Sequence, residues 1–425
     1  MNKLEKIEVN YKNKKRYRTD KLPIRQPLFL TWLIWLLSKI ALKGKKYKIE
    51  KINMDGLKPP YIMLSNHMYF IDFELTAVGL FPHRMNNVIN IDGYHRRPWL
   101  MELIGGIATR KFTNDLHLIK SIMHVVKKGD VVGLYPEARY SANGTLAYIP
   151  ESVAKLVKLA KVPVVVVKHQ GNHLHTPFWD YKRKRKVPLH TKIKKVLTTE
   201  EIKEKSVSEI YETIINEMQY DEYAYQRANN ILIKEKYRAE GLHKILYHCP
   251  HCHTESKMNS SNDEIYCTEC GKRWRLMENG LIEALDGNTE FEIVTEWYEW
   301  ERSEVRKQIE DGTYSFTDDV EVYSFPRCWR FIKLGSAKVK HSIEDGFTLE
   351  GFYNGKPYRI LRKPLESNGL HIEFNFSRLK PFDCFNISIE DDCYFCYPTK
   401  SNVITKLSFA VEELYKLHLT RKNSH

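Results

Sequence analysis

His67 and Asp72 stand five positions apart, directly after the short apolar stretch Tyr61–Ser65 (YIMLS). A histidine with an aspartate beside it is a general base held in one tautomer. On a straight helix, positions i and i+5 lie about 140° apart. The two side chains therefore meet only if His67 precedes a helix and Asp72 lies in its first turns. Asn66 adjoins His67. Arg110 follows Ile107–Thr109, and Glu137 and Arg139 follow VVGLY (Val131–Tyr135) and Pro136. Arginines bind phosphate or carboxylate with forked geometry. A base and an anion site in one crevice would activate a hydroxyl on a phosphorylated substrate. The HxxxxD spacing recurs at His175 and Asp180, in a loop with no strand directly before it. The first copy gains its weight from its neighbours and their order.

A second constellation is Cys249-Pro-His-Cys252 with Cys267-Thr-Glu-Cys270. Four thiolates in two tight pairs match a tetrahedral structural zinc site, closed and without an open position for catalysis. Gly271 follows the second pair and lets its turn open toward the metal; His253 takes the equivalent place after the first. His248, His251 and His253 are substitute ligands by type, but four cysteines already complete the shell. Cys393 and Cys396 form a third CxxC in a strand-like aromatic stretch, with Cys328 and Cys384 as companions. Positions i and i+3 of a strand point to opposite faces, so buried cysteines are expected there rather than a second metal. Cysteines used mostly in CxxC pairs, with no secretory leader before them, place the chain in a reducing cytosol.

The elements that must position these groups read as follows. Between residues 60 and 170, short strands at Tyr61–Ser65, Val88–Ile91, Ile107–Thr109, Val131–Tyr135 and the VVVV after Pro163 alternate with helical stretches. Leu116 to Lys128 carries a helical stripe ended by Gly129-Asp130. Ser152 is placed to cap a helix running to Lys161. VVVV is apolar on both faces, as in a parallel sheet. The expected fold is α/β, a mostly parallel sheet flanked by helices, whose ligand crevice lies outside the strand carboxyl ends. Polar helices follow over about 199–240, ending at Gly241, and an amphipathic helix over 294–311. From Tyr314 to about Pro398 roughly seven strands alternate, with Asn354-Gly355 as a hairpin signal, before a helical stripe over Val403–Leu419. On strand spacing alone this β-rich region resembles pleckstrin-homology-like barrels.

Charge is uneven over the 425 residues. The net is +14, yet residues 1–60 carry 16 Lys/Arg against 5 Asp/Glu. Within this leader, Pro27–Ser38 (PLFLTWLIWLLS) is uncharged and mostly apolar. Lys12, Lys14, Lys15, Arg16 and Arg18 precede it, and Lys43, Lys45, Lys46 and Lys48 follow. Twelve residues are too few to span a bilayer. A short tryptophan-bearing helix between lysines suits the plane of an anionic membrane surface; the alternative is an ordinary buried helix. A basic run at Tyr181–Lys186 reads equally as a solvated loop or a second membrane or phosphate contact. The zinc ribbon shows no arginine or lysine stripe, which argues against nucleic acid.

Four ordered blocks, SNHMYFID, GGIATR, LYPEARYS and VPVVVV, resemble those of the glycerolipid acyltransferases. The chain is most similar to the lysophosphatidic acid acyltransferase (PlsC-type, 1-acylglycerol-3-phosphate O-acyltransferase) family, over about residues 25–210. The resemblance implies that His67 takes the proton from an acceptor hydroxyl as it attacks an acyl thioester, and that Asp72 orients His67. It implies that Arg110 binds the acceptor phosphate, with Asn66 and Glu137 in the binding blocks and Pro163 marking the last. The implied donor is acyl-coenzyme A or an acyl carrier protein thioester, and the implied acceptor a lysophospholipid, lysophosphatidic acid first. One block departs. The family usually reads Pro-Glu-Gly-Thr-Arg-Ser, whereas here Arg139 comes two residues after Glu137 and Tyr140 takes the arginine's place; Arg139 would reach the phosphate from the other side of the turn. The expected organisation is a basic membrane-associating leader (1–50), an acyltransferase domain (51–240), a zinc ribbon (241–285) and a β-rich domain with a C-terminal helix (290–425). The expected location is peripheral or monotopic on the cytoplasmic membrane face. Two rival readings are an acyltransferase for another lysolipid or glycerol phosphate, and a zinc-ribbon scaffold or nucleic-acid module with a degenerate enzyme domain.

Overall fold

The computed structural model describes residues 21–113, 115–326, 330–376, 378–389 and 392–423; Lys12, Lys14, Lys15, Arg16, Arg18 and Cys328 lie outside them. The first half of the chain runs α1 (Leu28–Ala41), β1 (Tyr47–Ile52), β2 (Tyr61–Ser65), α2 (Ile71–Leu80), β3 (Met85–Asn90), α3 (Pro98–Leu103), β4 (Ile107–Thr109), α4 (Leu116–Lys127), β5 (Val131–Leu134), α5 (Ser152–Ala160), β6 (Val164–Gln170), α6 (Asn172–His175), β7 (Leu189–Leu197), α7 (Thr199–Glu204), α8 (Val207–Met218) and α9 (Glu222–Ala228). The seven strands form one sheet in the order β1-β7-β6-β2-β5-β3-β4. Every neighbouring pair is parallel except β6 with β7. The α/β class expected from the alternation is therefore present.

The period of two along β2 explains why the sheet is covered on both sides. Ile62 and Leu64 point into one apolar layer, with Ile122 and Val125 of α4, Val157 of α5 and Ile210 and Ile214 of α8. Tyr61 and Met63 point into the other, with Leu80 of α2, Val165, Val167 and Ile193. Helix ends follow local chemistry. Asp115 caps α4 by accepting Leu118 N–H at 3.1 Å, and Gly129 closes it at φ +79°. At α5 the cap position is Glu151, without a side-chain hydrogen bond, and Ser152 is the first helical residue. The polar helices end at Ala228 rather than near 240, because Ile231 and Ile233 leave the helical register and are buried.

The second half begins with a four-stranded antiparallel sheet, β8 (Met258–Ser261), β9 (Glu264–Cys267), β10 (Arg273–Leu276) and β11 (Ile282–Ala284), followed by α10 (Val294–Glu310). Then come β12 (Ser315–Ser324), β13 (Ile332–Ser342), β14 (Gly346–Tyr353), β15 (Lys356–Arg362), β16 (His371–Glu373), β17 (Cys384–Ser388), β18 (Cys393–Pro398) and α11 (Ile404–Asn423). These seven strands pair in the order β15-β14-β13-β12-β18-β17-β16, all antiparallel. Asn354 and Gly355, at φ +51° and +75°, turn β14 into β15, as a two-residue hairpin with both central φ positive requires.

One apolar cluster crosses the expected boundaries near residue 240 and between 285 and 290. It runs from Leu174, Phe178 and Trp179 through Cys249, Cys267 and Trp274 to Trp297 of α10, Phe374 and Leu414 of α11. The ribbon and the β-rich region are thus packed onto the α/β unit as continuous core. Among the described residues, no helix is long and apolar enough to cross a membrane.

Candidate active site and metal centre

The end of β2 and the start of α2 build the candidate base. His67 lies in the turn between them, and Asp72 is the second residue of α2. The turn brings His67 Nδ1 to 2.9 Å from Asp72 Oδ2. The same oxygen accepts Met68 N–H at 2.6 Å and Tyr69 N–H at 3.0 Å. The other carboxylate oxygen accepts Asn172 Nδ2 at 2.7 Å, from the turn after β6. Burial raises the Asp72 carboxyl, but His67, the nearby His169 and the Asn172 hydrogen bond outweigh it and hold the group below its usual value. Burial lowers His67 below its usual value, opposed by Asp72. With Nδ1 committed to an ionised carboxylate, Nε2 is the nitrogen that can take a proton. The His67 side chain is 21% exposed while that of Asp72 is fully buried, so a base meets solvent and its partner does not. Tyr135 stacks on the imidazole at 3.9 Å between ring centres and Tyr140 lies at 4.4 Å.

The other singled-out residues fall in different places. Asn66 is buried and exchanges two hydrogen bonds with the His169 backbone, 2.9 and 2.8 Å, which ties the end of β2 to β6. Arg110 is buried, in the electrostatic field of Asp392 and Cys393 at the start of β18. Glu137 is buried, accepts Ala147 N–H at 2.8 Å and the Tyr220 hydroxyl at 3.1 Å; burial pushes it up to about 7. Arg139 is held by α11. It pairs with Glu412 of α11 and donates to the Ser408 hydroxyl at 3.2 Å. His175 and Asp180, the second HxxxxD, do not form a base pair. His175 Nδ1 binds the Arg185 carbonyl at 2.5 Å, and Asp180 lies 3.3 Å from the Arg185 guanidinium.

Several residues at the site carry no mark in the spacing. Asn172 is the fourth partner of the His67–Asp72 turn. It follows the carboxyl end of β6, a position the strand-end rule picks out once β6 is extended to Gln170. Glu222 of α9, buried, accepts Gly171 N–H at 2.8 Å and His173 N–H at 3.2 Å and so fixes the turn that presents Asn172. Burial pushes Glu222 up to about 8. Lys111, beside Arg110, meets His371 Nε2 at 3.0 Å.

The four cysteines converge. Their sulfurs all lie within 4.8 Å of one another, with Cys249–Cys270 at 3.8 Å and Cys252–Cys267 at 3.7 Å. A tetrahedron with metal–sulfur bonds of about 2.3 Å has sulfur–sulfur edges of about 3.8 Å, so the donor set fits zinc. Both turns use the same device. Cys249 N–H binds Thr254 O and Cys267 N–H binds Lys272 O, each at 3.0 Å. His253 and Gly271, at φ +56° and +78°, make the left-handed step that each turn needs. Cys249 and Cys267 belong to the large core, so a metal held by the four sulfurs would tie that core together. Cys393 and Cys396 do point to opposite faces of β18, into two different apolar clusters. Among the described residues only Cys249, Cys252, Cys267 and Cys270 group as a metal set.

Helix α1 has inverted polarity. Thr31 and Ser38 are buried against the protein, while Phe29, Trp32, Leu36, Leu37 and Ile40 are 49–64% exposed. Trp32 and Trp35 rest on Phe81 at the end of α2, and Leu42 packs on Ile71 and Leu75 of α2. The exposed face therefore lies along the helix that carries Asp72, and Phe70, next to that helix, is itself 59% exposed.

No family model matches the chain, and no curated protein matches it. Among solved structures it is similar to the crystal structure of the 1-acyl-sn-glycerophosphate (LPA) acyltransferase, PlsC, from Thermotoga maritima, with 14% identity, a TM-score of 0.36, and coverage of 44% of this chain and 78% of that one. A likeness of that size is too slight to assign either a fold family or a reaction.

Proposed function

We propose that the protein is an acyltransferase that moves a fatty acyl group from a thioester to the free hydroxyl of a lysophospholipid at a membrane surface. The observation that carries this reading is the buried Asp72 gripping Nδ1 of a partly exposed His67 at a strand carboxyl end. His67 Nε2 removes the hydroxyl proton as the acceptor oxygen attacks the thioester carbonyl carbon. The carbon–sulfur bond breaks, and the proton held on His67 passes to the departing thiolate, so an ester and a free thiol leave. Asp72 stabilises the imidazolium formed on the way. None of the cysteines falls in the four sequence blocks that build this site, and direct transfer, without an acyl-enzyme, is the simpler scheme.

The exposed face of α1 supports a membrane partner. A soluble surface rarely turns its polar residues inward and its tryptophan and leucines outward, and Lys39, Lys43, Lys45, Lys46 and Lys48 sit at that end to meet anionic lipid. The cytoplasmic face belongs to the same reading. The β-rich region, seven strands and a helix, is read as a pleckstrin-homology-like barrel, and the four cysteines as a zinc ribbon. In the ribbon Arg273 and Arg275 are matched by Glu264 at 2.7 and 2.9 Å, which leaves the nucleic-acid reading without a free arginine there.

The test is purified protein with acyl-coenzyme A or acyl carrier protein thioester, anionic liposomes and a panel of lysolipids and glycerol phosphate, read by mass spectrometry. Lysophosphatidic acid is the acceptor that the sequence blocks imply. New ester on any lysolipid supports the reading; none on any acceptor with either donor refutes it.

A further inference from the structure

The turn that follows β5 serves two parts of the molecule at once. Ala138, at φ +54°, takes the left-handed step there, and its N–H donates to the Tyr135 carbonyl at 2.9 Å. Residues on both sides of the turn meet the candidate base. Tyr135 stacks on the His67 ring and the Tyr140 ring lies 4.4 Å from it. Ser141 N–H donates to the His67 carbonyl at 2.8 Å. Ser141 is itself fixed, because its hydroxyl accepts Gly144 N–H at 3.0 Å and donates to the Thr145 carbonyl at 3.1 Å. Residues 135–141 thus hold both the ring and the backbone of His67.

Arg139, between Ala138 and Tyr140, reaches a different element. Its guanidinium pairs with Glu412 Oε1 and donates to the Ser408 hydroxyl at 3.2 Å, both on α11. Glu412 Oε2 accepts Arg302 Nη1 of α10 at 2.6 Å, so one carboxylate serves two guanidinium groups, one oxygen each. The side chains of Arg139 and Glu412 are 12% and 2% exposed. A charge-assisted hydrogen bond is about twice as strong as a neutral one, and shielding from water strengthens it further. Adjacent Cα atoms are about 3.8 Å apart, so a shift of Arg139 passes directly to Tyr140. The guanidinium is anchored inside the protein, where its sequence block implies a contact with substrate phosphate.

We propose that Arg139 and Glu412 are positioning residues for the candidate base: through this pair α11 holds the turn after β5, and the turn holds Tyr140 and Ser141 against His67. The C-terminal helix thereby completes the site without binding the acceptor. This rests on the acyltransferase reading and gives Arg139 a role other than phosphate binding.

The experiment measures kcat, KM and the pH profile of kcat for the full-length protein, with the lysolipid that the wild type uses best. The variants are Arg139→Gln, Arg139→Lys and Glu412→Gln. Arg139→Gln frees the turn, and kcat falls by about tenfold or more, the cost of a misplaced base. KM is unchanged, because neither residue binds the acceptor. Water then reaches the imidazole that Tyr140 covers. Burial holds His67 below its usual value, opposed by Asp72, so the acidic limb of the profile moves to higher pH. Arg139→Lys, which can still pair with Glu412, recovers most of the rate and restores the limb. Glu412→Gln behaves as Arg139→Gln does. Thermal unfolding shows which variants are folded. If Glu412→Gln unfolds, the Arg139 variants decide; if Arg139→Gln unfolds, Arg139→Met is read in its place. A KM that rises with kcat held makes Arg139 an acceptor ligand and overturns the proposal. A fall in kcat with the limb unmoved is a loss of active protein and overturns it too, as does a variant that matches the wild type throughout. Each of these leaves acyl transfer standing, whereas no ester from the wild type with any acceptor overturns both.

Discussion

Replacing Asp72 by asparagine separates the charge of this residue from its geometry, and the structure says how. Oδ2 accepts three donors, His67 Nδ1 and the Met68 and Tyr69 amides, while Oδ1 accepts one, Asn172 Nδ2. The amide NH2 of the substitute cannot face three donors, so it takes the Oδ1 side. Asn172 can answer by turning its own amide, because its Oδ1 has no partner. The oxygen facing His67 is then kept, the Nδ1–H tautomer survives, and only the negative charge is lost. The loss is that of one charge-assisted hydrogen bond to the imidazolium, about 1.5–3 kcal/mol, or about 10- to 150-fold in kcat. The pH profile carries a second signature. A base works when neutral, so activity is full above the His67 pKa and falls as pH drops through it. Burial sets that value below the usual one, and Asp72 opposes the shift. Asp72→Asn removes the opposing push, so the acidic limb moves to lower pH while the plateau falls. Rates across pH 4 to 9 with a lysolipid acceptor test both. An unchanged plateau, or a limb moved to higher pH, would refute the orienting role of Asp72.

Other consequences follow from the same contacts. Glu412, buried between Arg139 and Arg302 (2.6 Å), is held down to about 2 from the usual 4.5 by these two guanidinium groups. That depression contributes about 3 kcal/mol, present above pH 4.5 and lost as pH falls from there to 2. Glu412→Gln strips this acid dependence and destabilises the fold by about 3–5 kcal/mol, read by denaturant unfolding; wild-type stability would show that the cluster is not buried as described. Metal analysis should find one zinc per chain, and chelation under denaturing stress should lower the melting temperature steeply, since both cysteine turns lie in the main core. Phe29→Ser with Leu36→Ser removes two exposed side chains, each worth about 1.5–3 kcal/mol when buried in lipid. Flotation with anionic liposomes should fall at least tenfold by that measure, with unfolding unchanged. Undiminished flotation would show that α1 is not the membrane-facing surface.

What the sequence made legible is local. The turn holding His67 and Asp72, the two cysteine turns and the Asn354-Gly355 hairpin each depend on residues a few positions apart, so spacing sufficed. Strands β1 (YKIEKI) and β7 (LHTKIKKVL) were hidden by their lysines. They lie together at one margin of the sheet, where alternate side chains over most of β7 are buried and none of β1 is, and such strands look like charged loop. The fate of Arg139 and Lys111 was illegible for a different reason. Their partners, Glu412 and His371, lie 273 and 260 positions away, and no spacing rule connects residues so far apart. The α/β unit read by itself leaves its arginines free for a ligand; the C-terminal sheet and helix are what match them.

The most direct test of the central claim compares the wild type with His67→Ala in a continuous assay of thiol release from acyl-coenzyme A, with lysolipid in anionic liposomes. Acyl transfer with His67 as the base predicts thiol released one-for-one with new ester by the wild type. It predicts a fall of about 100-fold or more in the folded variant. Equal rates in the two proteins would contradict it.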